Sequence, residues 1–328
     1  MRVILGLSGG VDSQVAARLL LEQGHDVIAV YLDNGFPGAD RAEQAACELG
    51  IPFYTRDIRK ALEEHVCAPF AAAYLRGETP SPCVLCNRAV KFAELLTLAD
   101  ELGAETIATG HYARSEEGRL YKGKTPNDQS YMLCRLKREQ AARLLLPLGP
   151  YEKSEVRAMA AEWGLSSAKT DDSMEICFIP DGDYAAYIER RGETPPPGPY
   201  IYNSKVVGEH RGIHHFTIGQ RRRLGIALGK RVYVSDIRAS ENAVILSDGD
   251  EVFTDGIRVG SLSWLEDISF PLRCTARIRH SRSDTPPALL FADGTLHFAE
   301  AVRAPTPGQA VAFYDGERLL GGGFIEKA

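Results

Sequence analysis

The stretch Gly6-Leu7-Ser8-Gly9-Gly10-Val11-Asp12-Ser13 decides how this chain is read. It follows the apolar run Val3-Ile4-Leu5 and precedes Val15-Ala16-Ala17-Arg18-Leu19-Leu20-Leu21, whose apolar spacing is helical. Its glycines therefore fall where a strand turns into a helix. Glycines let the backbone come close to a phosphate, and the free amides and positive dipole end of the following helix favour negative charge. Ser8 and Ser13 add hydroxyl donors, and Asp12 is a candidate to hold a magnesium ion bridging phosphate oxygens. No Gly-Lys-Ser/Thr follows, so this is not a Walker loop, and it lacks the Gly-x-Gly-x-x-Gly of dinucleotide folds. The bare string also admits a purely structural strand-to-helix turn; the phosphate reading is preferred.

Working outward, Asp26 to Leu32 is a continuous apolar run of the kind buried on both faces of a parallel sheet. A helix-like segment, Arg41 to Leu49, ends at Gly50. Ile51-Pro52-Phe53-Tyr54 begins another strand, and Glu105 to Gly110 reads as a fourth. Strands alternating with helices predict a doubly wound α/β domain with a parallel sheet, binding its ligands at the carboxyl ends of the strands, where Leu32 and Gly110 fall. Glu152 to Trp163 reads as a helix, followed by irregular Ser166 to Ser173 and by Glu175 to Ile179. Thr194-Pro195-Pro196-Pro197-Gly198-Pro199 is the clearest linker. Beyond it, β-like runs such as Arg231 to Val234, Leu272 to Ile278 and Gln309 to Gly316 alternate with turn residues. The expected organisation is a catalytic domain over 1–196, a small central β-rich domain over 197–248 and a C-terminal β-barrel over 249–328.

Composition sets the outer limits. A chain of 328 residues with 44% hydrophobic and 25% charged residues is an ordinary globular protein of two or three domains. There is no basic segment leading an apolar stretch and no apolar run long enough to span a bilayer, so a cytoplasmic location is expected. A net charge of −6 argues against indiscriminate nucleic-acid binding but leaves room for a local basic face. Seven cysteines in such a chain read as reduced thiols with catalytic or metal roles.

Cys83-Val84-Leu85-Cys86 is a Cys-x-x-Cys in a proline-stiffened loop, Thr79-Pro80-Ser81-Pro82. That spacing can ligate metal, form a redox couple or supply one low-pKa thiolate; with no second pair, a closed zinc ribbon is disfavoured. Taken by itself, Cys177 reads as a buried strand cysteine packing as a small hydrophobe. Cys47, Cys67, Cys134 and Cys274 lie in apolar patterns and are expected in the core.

The glycine loop resembles the pyrophosphatase loop of ATP-dependent adenylating enzymes, among them GMP synthetases, argininosuccinate synthetases and tRNA thiolases. The loop, Thr79 to Phe92, Thr109 to Arg114, Asp128 to Tyr131, Ser173 to Ile179 and Phe216 to Gly225 occur in the order seen in tRNA-specific 2-thiouridylases. The resemblance covers nearly the whole chain. It implies an adenine nucleotide alpha hydrolase-like first domain that uses ATP and magnesium to put sulfur on carbon 2 of the wobble uridine in lysine, glutamate and glutamine tRNAs. By that resemblance Gly6, Leu7, Ser8, Gly9, Gly10, Val11, Asp12, Ser13, Leu32 and Gly110 bind ATP. Cys86 matches the catalytic nucleophile and Cys177 the persulfide carrier. Ser81, Pro82 and Cys83 match the segment that meets the target base, and Asn127, Asp128, Gln129, Arg279 and His280 match tRNA contacts. The implied partners are tRNA and a sulfur donor: a cysteine desulfurase, a sulfur-relay protein or inorganic sulfide.

This chain departs from the family pattern at Ser81, where many members carry Asn, at Asn127, where many carry Lys, and in a short Asn34 to Asp40 loop. Cys83 stands where other members have Asp. Cys83, Cys86 and Cys177 therefore also make a candidate ligand set for a [4Fe–4S] cluster with one open iron. A synthetase using a nitrogen nucleophile would have no use for Cys86 and Cys177, and a non-catalytic RNA-binding or sulfur-carrier protein no use for an intact Asp12. Arg221-Arg222-Arg223, with Arg211, Lys230 and Arg231 nearby, suits RNA phosphates. His214 and His215 admit core, surface or RNA-stacking roles.

Overall fold

The computed structural model describes residues 1–124, 126–169, 176–281 and 283–327. It begins with β1 (Arg2–Gly6), α1 (Val11–Glu22), β2 (Asp26–Asp33), α2 (Ala39–Leu49) and β3 (Phe53–Asp57). Two short helices, α3 (Arg59–Leu62) and α4 (Ala68–Leu75), lead to α5 (Pro82–Cys86), a π-turn over Asn87–Lys91 and α6 (Phe92–Glu101). Then come β4 (Thr106–Ala108), the hairpin β5 (Ala113–Glu116) and β6 (Arg119–Lys122), α7 (Arg138–Ala142), β7 (Leu144–Leu145), α8 (Lys153–Glu162) and α9 (Tyr184–Glu189).

The first sheet has five parallel strands in the order β3-β2-β1-β4-β7. Strand order runs one way from β1 to β3 and the other way from β1 to β4, so the topological switch point lies between β1 and β4. The glycine loop leaves β1 at that point. In β2 the residues Val27 to Tyr31 are all buried, as an inner strand covered on both faces requires. Helix α2 stops where Gly50 takes a left-handed φ of 65° and caps the free carbonyls.

The central sheet contains β8 (Gly198–Tyr202), β9 (Lys205–His210), β10 (Tyr233–Arg238) and β11 (Ala243–Ser247), in the order β10-β11-β8-β9. The last domain comprises β12 (Phe253–Trp264), β13 (Leu272–Arg277), β14 (Ala288–Leu290), β15 (Thr295–Arg303), β16 (Ala310–Asp315) and β17 (Arg318–Ile325). These strands pair in the order β12-β15-β14-β13-β16-β17, and β12 pairs again with β17, closing a six-stranded barrel. Doubly wound sheet, small β domain and barrel are the expected architecture.

The hairpin β5–β6 from the first domain adds to barrel strand β17, with Tyr121 opposite Arg318 and Leu120 opposite Leu319. One continuous apolar cluster runs from Ile4, Ile28 and Ile107 through Leu95 to Ala312, Tyr314 and Leu319. A buried ion pair reinforces the junction: Arg277 of the barrel donates to the Asp128 carboxylate, and both side chains are only 4% exposed. Sheet and barrel are thereby packed as one body.

Three expectations need correction. Cys83 and Cys86 lie on a helix rather than in a loop, because Pro82 at the first helical turn already has a helical φ and its missing N–H leaves no donor wanting. Cys47 is exposed, since α2 buries Ala42, Ala45 and Ala46 and turns Cys47 to solvent; Cys67, Cys134 and Cys274 are buried as expected. Cys177 is exposed in irregular chain, not buried in a strand, while its neighbours Phe178 and Ile179 anchor the segment in the core. Ser173, Met174 and Glu175 of that motif, with Thr170 to Asp172, lie outside the described residues.

Candidate functional site

The loop from Ser8 to Gly10 is held open by its own hydroxyls. Ser13 Oγ accepts from the Ser8 amide at 3.2 Å and donates to the Gly10 carbonyl at 3.0 Å, while Ser8 Oγ lies 3.2 Å from Ser13 Oγ. Gly9 has a φ of 75° and a Cβ there would sit 2.8 Å from the Arg41 backbone, so only glycine fits. Arg41 Nη2 donates to the Ser8 carbonyl at 3.4 Å. Across the switch point, a Cβ on Gly110 would fall 2.9 Å from the Asp12 carbonyl carbon and 3.0 Å from the Ser13 amide nitrogen. The end of β4 thus packs directly on the first turn of α1.

Asp12 is the charged centre of this region. Its two oxygens accept from Lys153 Nζ, each at 2.7 Å, and Oδ1 also accepts from the Tyr112 hydroxyl at 2.6 Å. Lys153 is not marked by the sequence reading, and Tyr112 falls within the Thr109 to Arg114 motif without a role of its own. A signal was present for Lys153: it is the first residue of α8, where a cation opposes the helix dipole and so needs a reason to be there. Gln129, expected at the tRNA, accepts from the Tyr112 amide through Oε1 at 3.0 Å, and Asn127 Oδ1 accepts from the Lys153 amide at 3.4 Å. The Asn127–Gln129 segment is thus bonded to both residues that hold Asp12.

The cysteines lie beyond the end of β2. Leu32, Leu85, Cys86 and Ile176 pack on one apolar cluster with buried Phe178 and Ile179. Burial is the main cause that disfavours ionisation of Cys83, Cys86 and Tyr31, and the Cys177 charge adds a smaller push in the same direction. Tyr31 also feels Arg41, which reaches the glycine loop. Leu32 at the end of β2, Cys86 and Ile176, the residue before Cys177, thus share one apolar cluster, and Arg41 of α2 reaches the glycine loop. Burial pushes the Cys86 thiol up to about 11, with Lys91 acting in the opposite direction; the protein packed around Cys83 raises it as well, although part of its side chain reaches solvent. Neither is the low-pKa thiolate that the spacing allowed; both rest as thiols.

The remaining expected residues divide into supports and exposed groups. Ser81 is buried: its Oγ accepts from the Ala310 amide at 2.9 Å and lies 3.5 Å from the Tyr131 hydroxyl. Pro82 is buried and Cys83 exposed, so the segment presents Cys83. The Asp128 carboxylate is sealed, accepting from Gly123 N, Ser130 N, Ser130 Oγ and Arg277, and holds its segment in place. Arg279 and His280 are exposed, and the His280 ring lies 6.0 Å from that of Tyr131, next to Ser81. Arg221, Arg222 and Arg223 are exposed, whereas Lys230 is paired with Asp248 at 2.9 Å.

A family model described as a tRNA methyl transferase HUP domain matches residues 1–181. A tRNA methyl transferase PRC-barrel domain model matches 186–248, and an aminomethyltransferase beta-barrel domain model matches 254–325. The chain is 42% identical over 356 residues to the tRNA-specific 2-thiouridylase MnmA of Sorangium cellulosum, covering 100% of this chain and 92% of the relative. It is 42% identical over 357 residues to the MnmA of Carboxydothermus hydrogenoformans, covering 99% and 98%, and 38% identical over 355 residues to that of Clostridioides difficile, covering 100% and 98%. Among solved structures, a 4-thiouridine synthetase–RNA complex with bound ATP overlaps 58% of this chain and 50% of that chain at 17% identity and a TM-score of 0.38. The domain descriptions speak of methyl transfer, but the relatives that match over the full length are thiouridylases. With all three domains matched and the likeness running along the whole chain, this protein belongs to the tRNA-specific 2-thiouridylase family of tRNA sulfurtransferases.

Proposed function

We propose that this protein 2-thiolates the wobble uridine of lysine, glutamate and glutamine tRNAs, spending one ATP per sulfur. The observation that supports the reading is that the glycine loop after β1 and Leu32 near the end of the neighbouring strand β2 lie at one end of the sheet, with Cys86 and Ile176, the residue before Cys177, packed on the cluster that Leu32 joins. Adenylation and sulfur transfer need one recess, because the activated uridine must not diffuse between them. In this reading residues 1–196 are the catalytic unit and 197–248 and 249–328 the appended β domains.

Uracil O2 is a poor leaving group, so it first attacks the α-phosphorus of ATP and expels pyrophosphate. The amides of Ser8 to Gly10 and the start of α1 receive the pyrophosphate, Lys153 adds positive charge, and Leu32 and Gly110 line the nucleotide. Asp12, whose two oxygens now accept from Lys153 and Tyr112, would hold a magnesium ion once Lys153 turns to the pyrophosphate, and the ion would offset the charge developing there. A donor persulfide passes its outer sulfur to the Cys177 thiol, leaving the donor as a thiol. The terminal sulfur of Cys177 then attacks carbon 2 and AMP departs. Cys86, deprotonated with help from the Lys91 charge, attacks the Cys177 sulfur; the S–S bond to the base breaks, thiouridine is released and a Cys86–Cys177 disulfide forms. An external thiol must reduce it. Cys83, Asn127, Gln129, Arg279, His280 and the Arg221–Arg223 cluster are assigned to tRNA, with Ser81, Pro82 and Asp128 supporting them.

A second reading has its own observation: Cys83 is exposed three residues before Cys86 on α5, and Cys86 packs on the cluster that holds Ile176, the residue before Cys177. Three cysteine thiolates, Cys83, Cys86 and Cys177, would hold a [4Fe–4S] cluster with an open iron, which would supply a docking point for sulfide. Iron and acid-labile sulfide analysis of anaerobically purified protein, with thiolation assayed on unmodified tRNA, separates the two. Iron-free protein that thiolates with a cysteine desulfurase supports persulfide transfer; activity with sulfide that tracks iron supports the cluster.

A further inference from the structure

Two histidines that the thiolation chemistry does not use converge on one carboxylate. His214 and His215 lie on a 3₁₀ turn, Ile213–His215, that starts the segment leading to Arg221–Arg223, and they are 1% and 8% exposed. His214 Nε2 is 3.3 Å and His215 Nε2 3.1 Å from the same oxygen, Oε1 of Glu189, at the end of α9. The three ligand atoms all lie within 4.8 Å of one another. A first-row ion with bonds of about 2.0–2.1 Å sets tetrahedral ligand atoms about 3.3–3.4 Å apart, close to the 3.3 and 3.1 Å at which the two histidines stand from Glu189.

We propose that Glu189, His214 and His215 form a binding site for a borderline divalent transition ion such as Zn²⁺, with the fourth position open to water. The local backbone is built to hold the rings there. Gly212 has a φ of 126°, and a Cβ at that position would lie 2.6 Å from His214 Cε1, so the ring occupies space that only glycine leaves free. The Tyr184 hydroxyl at the start of α9 donates to the His215 carbonyl at 3.0 Å, fixing the turn against the helix. A lone carboxylate with two imidazoles matches the His₂Glu donor set that zinc accepts. Both Nε2 atoms face one oxygen, while among the described residues neither buried Nδ1 has a hydrogen-bond partner, an unusual arrangement for a purely structural cluster.

The position gives the ion a consequence. Thr217, two residues past His215, exchanges a hydroxyl hydrogen bond of 3.0 Å with Thr79, in the loop that leads into the Cys83–Cys86 helix. Glu189 ends the helix that follows Cys177. A bound ion therefore ties the Ile213–His215 turn to the helix that follows Cys177, beside the Thr217–Thr79 hydrogen bond.

The test is titration of the full-length chain with Co²⁺ and then Zn²⁺, in a Cys83→Ser/Cys86→Ser/Cys177→Ser background so that the reactive thiols do not compete. The expected result is one equivalent of Co²⁺ with visible d–d absorption and no thiolate charge-transfer band, displaced by Zn²⁺. Since groups one shell further out are worth about 10–100-fold in metal affinity, loss of a direct ligand is expected to cost at least about 100-fold in His214→Ala and in Glu189→Gln. Glu189 is 46% exposed, so Glu189→Gln removes the ligand without disturbing the core, and its circular dichroism serves as the folding control. Absence of saturable Co²⁺ binding in the triple-serine protein, or binding unchanged in folded Glu189→Gln, overturns the proposal.

Discussion

Lys153 Nζ donates to both carboxylate oxygens of Asp12 at 2.7 Å, reaching from the first turn of α8 to the first turn of α1. The lysine thus ties a second helix N-terminus to the glycine loop, and in the reaction proposed above its ammonium binds the departing pyrophosphate. Lys153→Met is expected to lower tRNA-dependent release of AMP from ATP by on the order of 100-fold, the usual cost of one charge-stabilising donor. Measured kcat within a few-fold of the parent would assign Lys153 to holding Asp12 alone.

Gly110→Ala tests the switch point. Its methyl would press on the Asp12 carbonyl and the Ser13 amide at 2.9–3.0 Å, and backbone cannot swing aside as a side chain can. Overpacking of this kind costs about 1–3 kcal/mol, expected here as weaker ATP binding by isothermal titration with the thermal midpoint lowered only slightly. Unchanged ATP affinity would show that the loop tolerates displacement.

Ionisation of Cys86 sets a pH dependence. With the thiol held up to about 11 by burial, its thiolate fraction rises about tenfold per pH unit through the neutral and mildly alkaline range. Alkylation of Cys86, followed by peptide mass spectrometry, is expected to accelerate in step with that fraction between about pH 7 and 10. Lys91→Met should slow it further at each pH, because Lys91 lowers the Cys86 pKa. A rate that plateaus near pH 7 contradicts the burial effect.

Removing one partner of a sealed ion pair leaves a buried charge. Arg277→Met is expected to cost about 3–5 kcal/mol in urea unfolding, since Asp128 is only 4% exposed and loses its guanidinium. The double variant Arg277→Met/Asp128→Asn should recover much of that loss. Destabilisation below about 1 kcal/mol would mean that the sheet–barrel junction rests on apolar packing alone.

Much of this architecture is legible in the sequence because its signals are local. The strand–loop–helix at Gly6 to Ser13, the apolar run of β2 and the alternating strands after Pro199 each carry their period within a few residues. What escaped depends on distant contacts. Nothing in Ala113 to Lys122 announces that its hairpin completes a sheet with Arg318 and Leu319, about two hundred residues later. Pro80 and Pro82 read as loop formers, yet Pro82 opens a helix, where its ring is welcome. Cys47 followed the apolar pattern of α2 but lies on its outer face, because three alanines nearby suffice to cover β2. Lys153 and Tyr112 meet Asp12 only through the fold.

The central claim is that Cys177 carries the sulfur and Cys86 releases it. The most direct measurement loads iron-free protein with ³⁵S from a cysteine desulfurase, removes the donor, adds unmodified tRNA and ATP, and follows label in tRNA together with the Cys86–Cys177 disulfide by non-reducing peptide mapping. The account predicts label transfer matched by one disulfide per thiouridine, no loading of Cys177→Ser, and in Cys86→Ser loading without release of thiolated tRNA. Thiouridine formed by Cys177→Ser, or formed by the parent with no Cys86–Cys177 disulfide, would contradict it.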